Sequence, residues 1–180
     1  MDRRRLGFSL VEMLLALAVL SLLLVLAVPP LGDLVARNRA QTTAEILMTS
    51  LFLARTEAIK RNQRATLCKS ADGAACTLDG DWAQGWLVFV DTAGFGVYDP
   101  GETLLQVQGE LQGGFSVRNT NAADWYAYRP EGSAASSGGL VTGTFRVCPR
   151  NGQTDLAYRV ITNVTGRPRV AAGIGDLSCP

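Results

Sequence analysis

The sequence predicts an α+β fold, one long N-terminal helix packed on an antiparallel β-sheet head. Three observations predict it. Phe8 to Val28 is apolar except for Ser9, Glu12 and Ser21. Apolar residues then recur at helical spacing to about residue 61. From residue 65 the texture changes to short alternating or wholly apolar runs separated by turn residues. With 180 residues, 47% hydrophobic and 18% charged, the chain can bury one core and is not disordered throughout.

The first helix follows from its composition. As a helix, residues 8–28 would be about 31 Å long, against a bilayer hydrocarbon core of about 30 Å. Arg3, Arg4 and Arg5 precede the run. They hold that end in the cytoplasm and send the rest outward. The run ends in Val28-Pro29-Pro30 with no small-residue cleavage site, unlike a secretory signal peptide. Glu12 is the anomaly. A carboxylate among apolar residues at membrane depth is costly and calls for a named partner. A cut after Gly7 would place the new amino group of Phe8 one helical turn away, in the same subunit or a neighbour.

Pro29-Pro30 should kink or loosen the helix. Its second half, residues 31–64, is read as amphipathic, with Leu31, Val35, Ala44, Leu47, Leu51, Ala54 and Ala58 as the stripe offered to a head. The head, 65–180, is read as strands at 65–69, 85–91, 103–108, 115–118, 125–128, 143–148, 156–162 and 167–171. Ser133 to Gly139 is read as a mobile small-residue loop.

Several function classes are excluded or weakened. There is no histidine, so the commonest general base and the commonest metal ligand are missing. Without a P-loop or a metal constellation either, no enzyme, catalytic residue, cofactor or metal site is expected. Asp91, Asp99 and Glu102 surround a glycine-rich turn whose oxygens would suit calcium. Ala93 and Phe95 stand where alternate ligands are wanted, so a hairpin turn with solvated carboxylates is the favoured reading. The formal charge is +1. Without residues 1–7 it becomes −1, with 14 basic against 15 acidic side chains. From Leu140 to Pro180, however, five arginines face Asp155 and Asp176. Arg167 and Arg169 flank Pro168. In extended backbone they point the same way, about 6.6 Å apart, a spacing that suits phosphates. Arg55, on the helix, is expected to take no part in that.

Gly7-Phe8-Ser9-Leu10-Val11-Glu12, the short basic leader 1–7 and the long apolar helix resemble the class III signal of type IV pilins and type II secretion pseudopilins. The resemblance implies a transmembrane and assembly helix over 8–30. It implies cleavage between Gly7 and Phe8 by prepilin peptidase, with N-methylation of Phe8. It also implies pairing of Glu12 with a neighbouring subunit's N-terminus. Gly85 to Asp91, then Gly96-x-x-Asp99-x-Gly101-Glu102, Phe145 to Cys148 and Thr165 to Val170 resemble the FimT/GspH group of minor pilins and pseudopilins. The group implies a pilin-like head of two small sheets. It implies a structural subunit in the tip or initiating complex of a type IV pilus or a type II secretion filament. The subunit would span the bacterial inner membrane once, with its head in the periplasm and other pilin or pseudopilin subunits as partners. Gly166-Arg167-x-Arg169 resembles the DNA-binding motif of FimT-type pilins, which makes DNA the alternative partner. In an oxidising compartment Cys68, Cys76, Cys148 and Cys179 are expected in disulfides. Three pairings are open. The favoured one joins Cys68 to Cys76 across a short loop and Cys148 to Cys179 at the C-terminus.

Overall fold

The computed structural model describes residues 9–139, 142–149, 152–175 and 178–179, without the side chains of 24–31. The expected leader 1–7 and Phe8 lie outside the described residues. The chain divides into two units, Met1–Ala36 and Arg37–Pro180.

In the first unit, helix α1 (Leu10–Arg61) begins. Every described side chain from Leu10 to Leu23 is exposed. The helical assignment runs through Pro29-Pro30, where a kink or loosened turn was expected. Among the described residues no helix is long and apolar enough to cross a membrane. The side chains that would complete the expected span, those of 24–31, are outside the description.

In the second unit, α1 buries Ala40, Ala44, Leu47, Leu51, Ala54 and Ala58. Alternating steps of four and three keep these residues on one stripe, and four alanines keep it narrow. The expected stripe began too early. Val35 is 47% exposed, Leu31 is among the undescribed side chains, and Ala40 is the first buried residue. Helical spacing defines a face but not where along it the head begins.

The head holds two antiparallel sheets. The first has the order β3 (Leu104–Gln108), β2 (Trp86–Val90), β1 (Ala65–Lys69), β5 (Trp125–Tyr128), β6 (Ala134–Ser136). The second has β4 (Ser116–Asn119), β7 (Gly143–Cys148), β8 (Tyr158–Thr162), β9 (Pro168–Ala172). One core joins the helical stripe to both. From the first sheet it takes Leu67, Trp86, Val88, Tyr126 and Tyr128; from the second, Val117, Phe145, Val147 and Val160. Central β1 and β2 are buried along their whole length, which explains the unbroken apolar sequence of β2; β1 carries Thr66 and Lys69 into the interior. Phe145 sits edge-on to both Trp82 and Tyr126, with centroids 5.2 and 5.9 Å away.

Two sequence expectations fail locally. The 133–139 loop contains β6, whose Ala134, Ala135 and Ser136 pair with Tyr128, Ala127 and Tyr126. Ala-Ala-Ser carries no strand signal of its own; the edge of β5 imposes the pairing. The expected strand from residue 156 starts at Tyr158, because Thr154–Leu156 forms a 3-10 turn.

Candidate functional site

The first candidate is the start of α1. The Ser9 hydroxyl accepts from the Glu12 backbone N–H at 3.2 Å, and a Glu12 carboxylate oxygen accepts from the Ser9 N–H at 3.3 Å. This is a reciprocal capping box, which satisfies two N–H groups that a helix start leaves orphaned. The Ser-x-x-Glu spacing at 9–12 was legible as such, and the sequence reading passed over it. Glu12 is therefore engaged within its own chain through one carboxylate oxygen while remaining exposed. A carboxylate has further acceptor sites, so it can pair with another amine and keep the cap. Gly7 and Phe8 lie outside the described residues.

The second candidate is the turn that carries Arg167 and Arg169. Asn163 builds it. Its side-chain oxygen accepts from the Arg167 N–H at 3.0 Å and from the Thr165 hydroxyl at 2.7 Å; its carbonyl accepts from the Gly166 N–H at 2.8 Å. Gly166 is buried with φ +72°. A Cβ there would lie 2.4 Å from the Gly132 carbonyl oxygen and 2.9 Å from Cε1 of Tyr128. The glycine of Gly-Arg-x-Arg is thus required by packing and backbone conformation. Arg167 and Arg169 are exposed on either side of buried Pro168, at the start of edge strand β9. Arg55, expected to be a bystander, donates to the Gly132 carbonyl at 3.2 Å and to the Thr165 carbonyl at 3.3 Å. It joins the β5–β6 turn to the residue before Gly166. Below lies Tyr128, whose hydroxyl burial pushes far above its usual range, with the nearby Tyr126 adding to the rise. Tyr126 itself is pushed up to about 12 by burial.

The third candidate, the 91–102 turn, differs from expectation. Asp91 is buried, not solvated. It accepts from the Thr66 hydroxyl at 2.7 Å, the Gly94 N–H at 2.6 Å and the Gly96 N–H at 3.0 Å, and pairs with Arg64 at 3.1 Å. The Arg64 guanidinium also donates to the Gly94 carbonyl at 2.7 Å and lies 4.7 Å from the Trp125 ring centroid. Glu102 clasps the other end. One oxygen accepts from the Thr92 N–H and hydroxyl at 2.6 and 2.9 Å, the other from the Asp99 N–H at 3.2 Å. Burial pushes the Glu102 carboxyl up, but these donors outweigh it and hold it below the ordinary carboxylate value. Both carboxylates are spent on ordering the turn. Among the described residues no group of three or more His, Cys, Asp or Glu is placed to hold a metal ion.

The cysteines form two disulfides, Cys68–Cys76 and Cys148–Cys179. The first closes a loop that Lys69 also holds. Lys69 is 3% exposed. It donates to the Leu78 and Gly80 carbonyls at 2.8 and 3.2 Å and pairs with Asp124 at 3.1 Å. Nothing in the sequence identified this buried cation, because its acceptors are backbone atoms brought close by the fold.

With that geometry in hand, comparison with known proteins is decisive. The family described as Type II transport protein GspH matches residues 43–166. The chain belongs to the GspH family. The prokaryotic N-terminal methylation motif matches residues 2–28, so the GspH-family chain also carries a class III signal. The pilin-like protein PilA1 of Thermus thermophilus is 39% identical over 102 residues, which cover 57% of this chain and 57% of that protein. The match therefore spans little more than half of the curated relative. Among solved structures, the type IV minor pilin FimU of Pseudomonas aeruginosa has a TM-score of 0.55 at 20% identity, covering 79% of this chain and 94% of FimU. The minor pseudopilin EpsH from the type 2 secretion system of Vibrio cholerae has a TM-score of 0.53 at 18% identity, covering 74% and 97%. These two likenesses show a shared pilin-like fold.

Proposed function

We propose that this GspH-family chain is a structural subunit, a minor pilin or pseudopilin, in the tip or initiating complex of a type IV pilus or type II secretion filament. Prepilin peptidase cuts between Gly7 and Phe8, and Phe8 is N-methylated. Residues 8–30 hold the subunit in the bacterial inner membrane before assembly, with 31–64 continuing the helix and the head, 65–180, in the periplasm. Glu12 then pairs with the N-terminus of a neighbouring pilin or pseudopilin. The observation that carries this reading is the exposed apolar start of α1, with a single carboxylate at its third helical residue, inside the matched methylation motif. The disulfide-closed head supplies a stable body, and the subunit acts by assembly.

The capping box shapes the experiment. Glu12→Gln keeps an acceptor for the Ser9 N–H, since Gln also serves in a capping box, but removes the charge. Glu12→Ala removes both. If pairing with a neighbour's amine is the role, both variants insert into the membrane and are processed to N-methyl-Phe8 by mass spectrometry, and both are depleted from filaments. Wild-type incorporation of Glu12→Gln would refute the charge pairing. A mature N-terminus near residue 30 would refute the processing.

A second reading has Arg167 and Arg169 bind duplex DNA. It is favoured by one observation, the exposure of both arginines, Arg167 just before edge strand β9 and Arg169 within it. Arg167→Gln with Arg169→Gln should then weaken binding and reduce the log–log salt slope by about 2. Unchanged binding of the double variant would end that reading.

A further inference from the structure

Edge strand β3 keeps backbone groups open, as the ladder bonds of the first sheet show. Bonded and non-bonded pairs alternate along an antiparallel ladder. The Lys69 N–H donates to the Asp124 carbonyl at 3.1 Å, so Lys69 turns its backbone groups toward β5. Its neighbour Cys68, and with it Thr66, turns toward β2, where Leu87 and Phe89 stand opposite. Trp86, Val88 and Val90 therefore face β3. The Val90 N–H agrees, donating to the Thr103 carbonyl at 2.9 Å. On β3 the bonded residues are then Gln106 and Gln108, opposite Val88 and Trp86. Val107, between them, points its N–H and carbonyl away from the sheet. Among the described residues nothing pairs with those two groups.

The same edge lacks the usual protection. Edge strands commonly carry Lys, Pro or another charge that keeps further chains from pairing. Leu104–Gln108 reads LLQVQ, with neither charge nor Pro. Its one irregularity is the bulge opposite Phe89, at the start of the strand, which leaves Gln106 to Gln108 in regular register. Leu104 and Val107 stand opposite Phe89 and Leu87. Those two pack with Cys68 in an apolar cluster separate from the main core, so the cluster continues outward to Leu104 and Val107, 40% and 49% exposed. Carboxylates frame the strand. Glu102 precedes it and exposed Glu110 follows it, and residues 70–117 contain seven carboxylates and no Lys or Arg.

We propose that β3 is a strand-addition site, which takes an extended segment of a different protein as a sixth strand of the first sheet. Each observation sets one property of that segment. The open N–H and carbonyl of Val107 match the main chain of an extended polypeptide. Leu104 and Val107 select apolar side chains at alternate positions along it. The acidic frame selects Lys or Arg at its ends. A second copy of this chain is the wrong occupant, because antiparallel pairing of two β3 strands would set Glu102 of one beside Glu110 of the other, and like charges there repel. The site involves neither Glu12 nor the arginines near β9, so it goes beyond the assembly reading and does not depend on it.

The test uses the full chain in detergent and a synthetic peptide with Lys at both ends and Thr and Val alternating between them. Binding is read by fluorescence anisotropy, and amide hydrogen exchange by NMR. In the free chain the Val107 amide should exchange fast while those of Gln106 and Gln108 are protected. Saturating peptide should protect Val107. A peptide N-methylated at alternate nitrogens, or one with Glu at its ends, should bind about tenfold more weakly. Val107→Pro removes only the outward donor. It should weaken binding about tenfold and leave the melting temperature nearly unchanged, whereas Gln106→Pro, which breaks the bond to Val88, should lower that temperature. Val107→Lys blunts the edge without constraining the backbone and should weaken binding as well, which keeps the test decisive if the proline variant misfolds. No binding at millimolar peptide, equal binding of the methylated peptide, or unchanged affinity of Val107→Lys would each overturn the proposal. So would protection of Val107 that grows with chain concentration without peptide, which would assign the edge to a second copy.

Discussion

Asp91→Ala should destabilise the head by about 4 kcal/mol, because breaking a buried ion pair costs roughly 3–5 kcal/mol and each orphaned buried donor adds about 1–3. The structure places the value within that span. Asp91 is completely buried on its side chain, whereas Arg64 keeps 22% exposure and its bond to the Gly94 carbonyl. The ion-pair loss therefore sits near 3 kcal/mol, at the low end. Gly96 N–H, buried, loses its acceptor outright; Gly94 N–H, half-buried, can recruit water. Asp91→Asn preserves shape and one acceptor oxygen and should cost about half as much, near 2 kcal/mol. For a domain of this size each kcal/mol moves the midpoint by about 2–4 °C, so Asp91→Ala should melt about 10 °C lower. Thermal and urea unfolding can be followed by tryptophan fluorescence, since Trp125 lies under Arg64. A double-mutant cycle with Arg64→Met should show coupling of about 1–3 kcal/mol. A loss below 1 kcal/mol for Asp91→Ala, or additivity with Arg64→Met, would refute the assignment of Asp91 as the organiser of the turn.

Three further outcomes follow from the same geometry. The head should show no free thiol under native conditions, and chain entropy predicts a loss of about 2.6 kcal/mol without Cys68–Cys76 and about 3.7 without Cys148–Cys179; titration of four thiols in the native protein would contradict this. Gly166→Ala should cost about 2 kcal/mol or more through backbone strain and the clash with Gly132, whereas Gly139→Ala, also at positive φ but with nothing nearby, should cost about 1; equal losses in urea unfolding would remove the packing explanation. The Glu102 carboxyl is held below its unfolded value of 4.5. Its contribution is therefore present above that value and disappears as pH falls through the folded one. Glu102→Gln should be less stable than wild type at pH 7 and converge with it in acid, and a pH-independent gap would show that its hydrogen bonds act without charge.

How much of this was legible depends on how locally each feature is specified. The strands at 125–128 and 143–148 could be read because their side chains declare them: β-branched or aromatic residues bounded by turn residues, matching the observed β5 and β7. Strand β6 could not, because Ala134, Ala135 and Ser136 are strand residues only beside β5. The helical stripe was visible in its period, but its beginning at Ala40 instead of Leu31 depends on where the sheets lie. Arg55 read as one more solvated helix charge. Its acceptors, the Gly132 and Thr165 carbonyls, are 77 and 110 residues away and carry no sequence signature.

The sequence by itself determined the apolar start of the chain, Glu12 within it, the sorting of carboxylates from arginines and the change from helical to strand period. These are properties of composition and short-range spacing, and every compact state of the chain retains them. Only the tertiary structure decided that Asp91 is a buried counter-ion, that Lys69 closes a loop and that Gly166 is locked beneath Gly132. Each of these depends on backbone atoms and charges brought together by packing around one core, and burial, which no single residue encodes, sets the strength of every one.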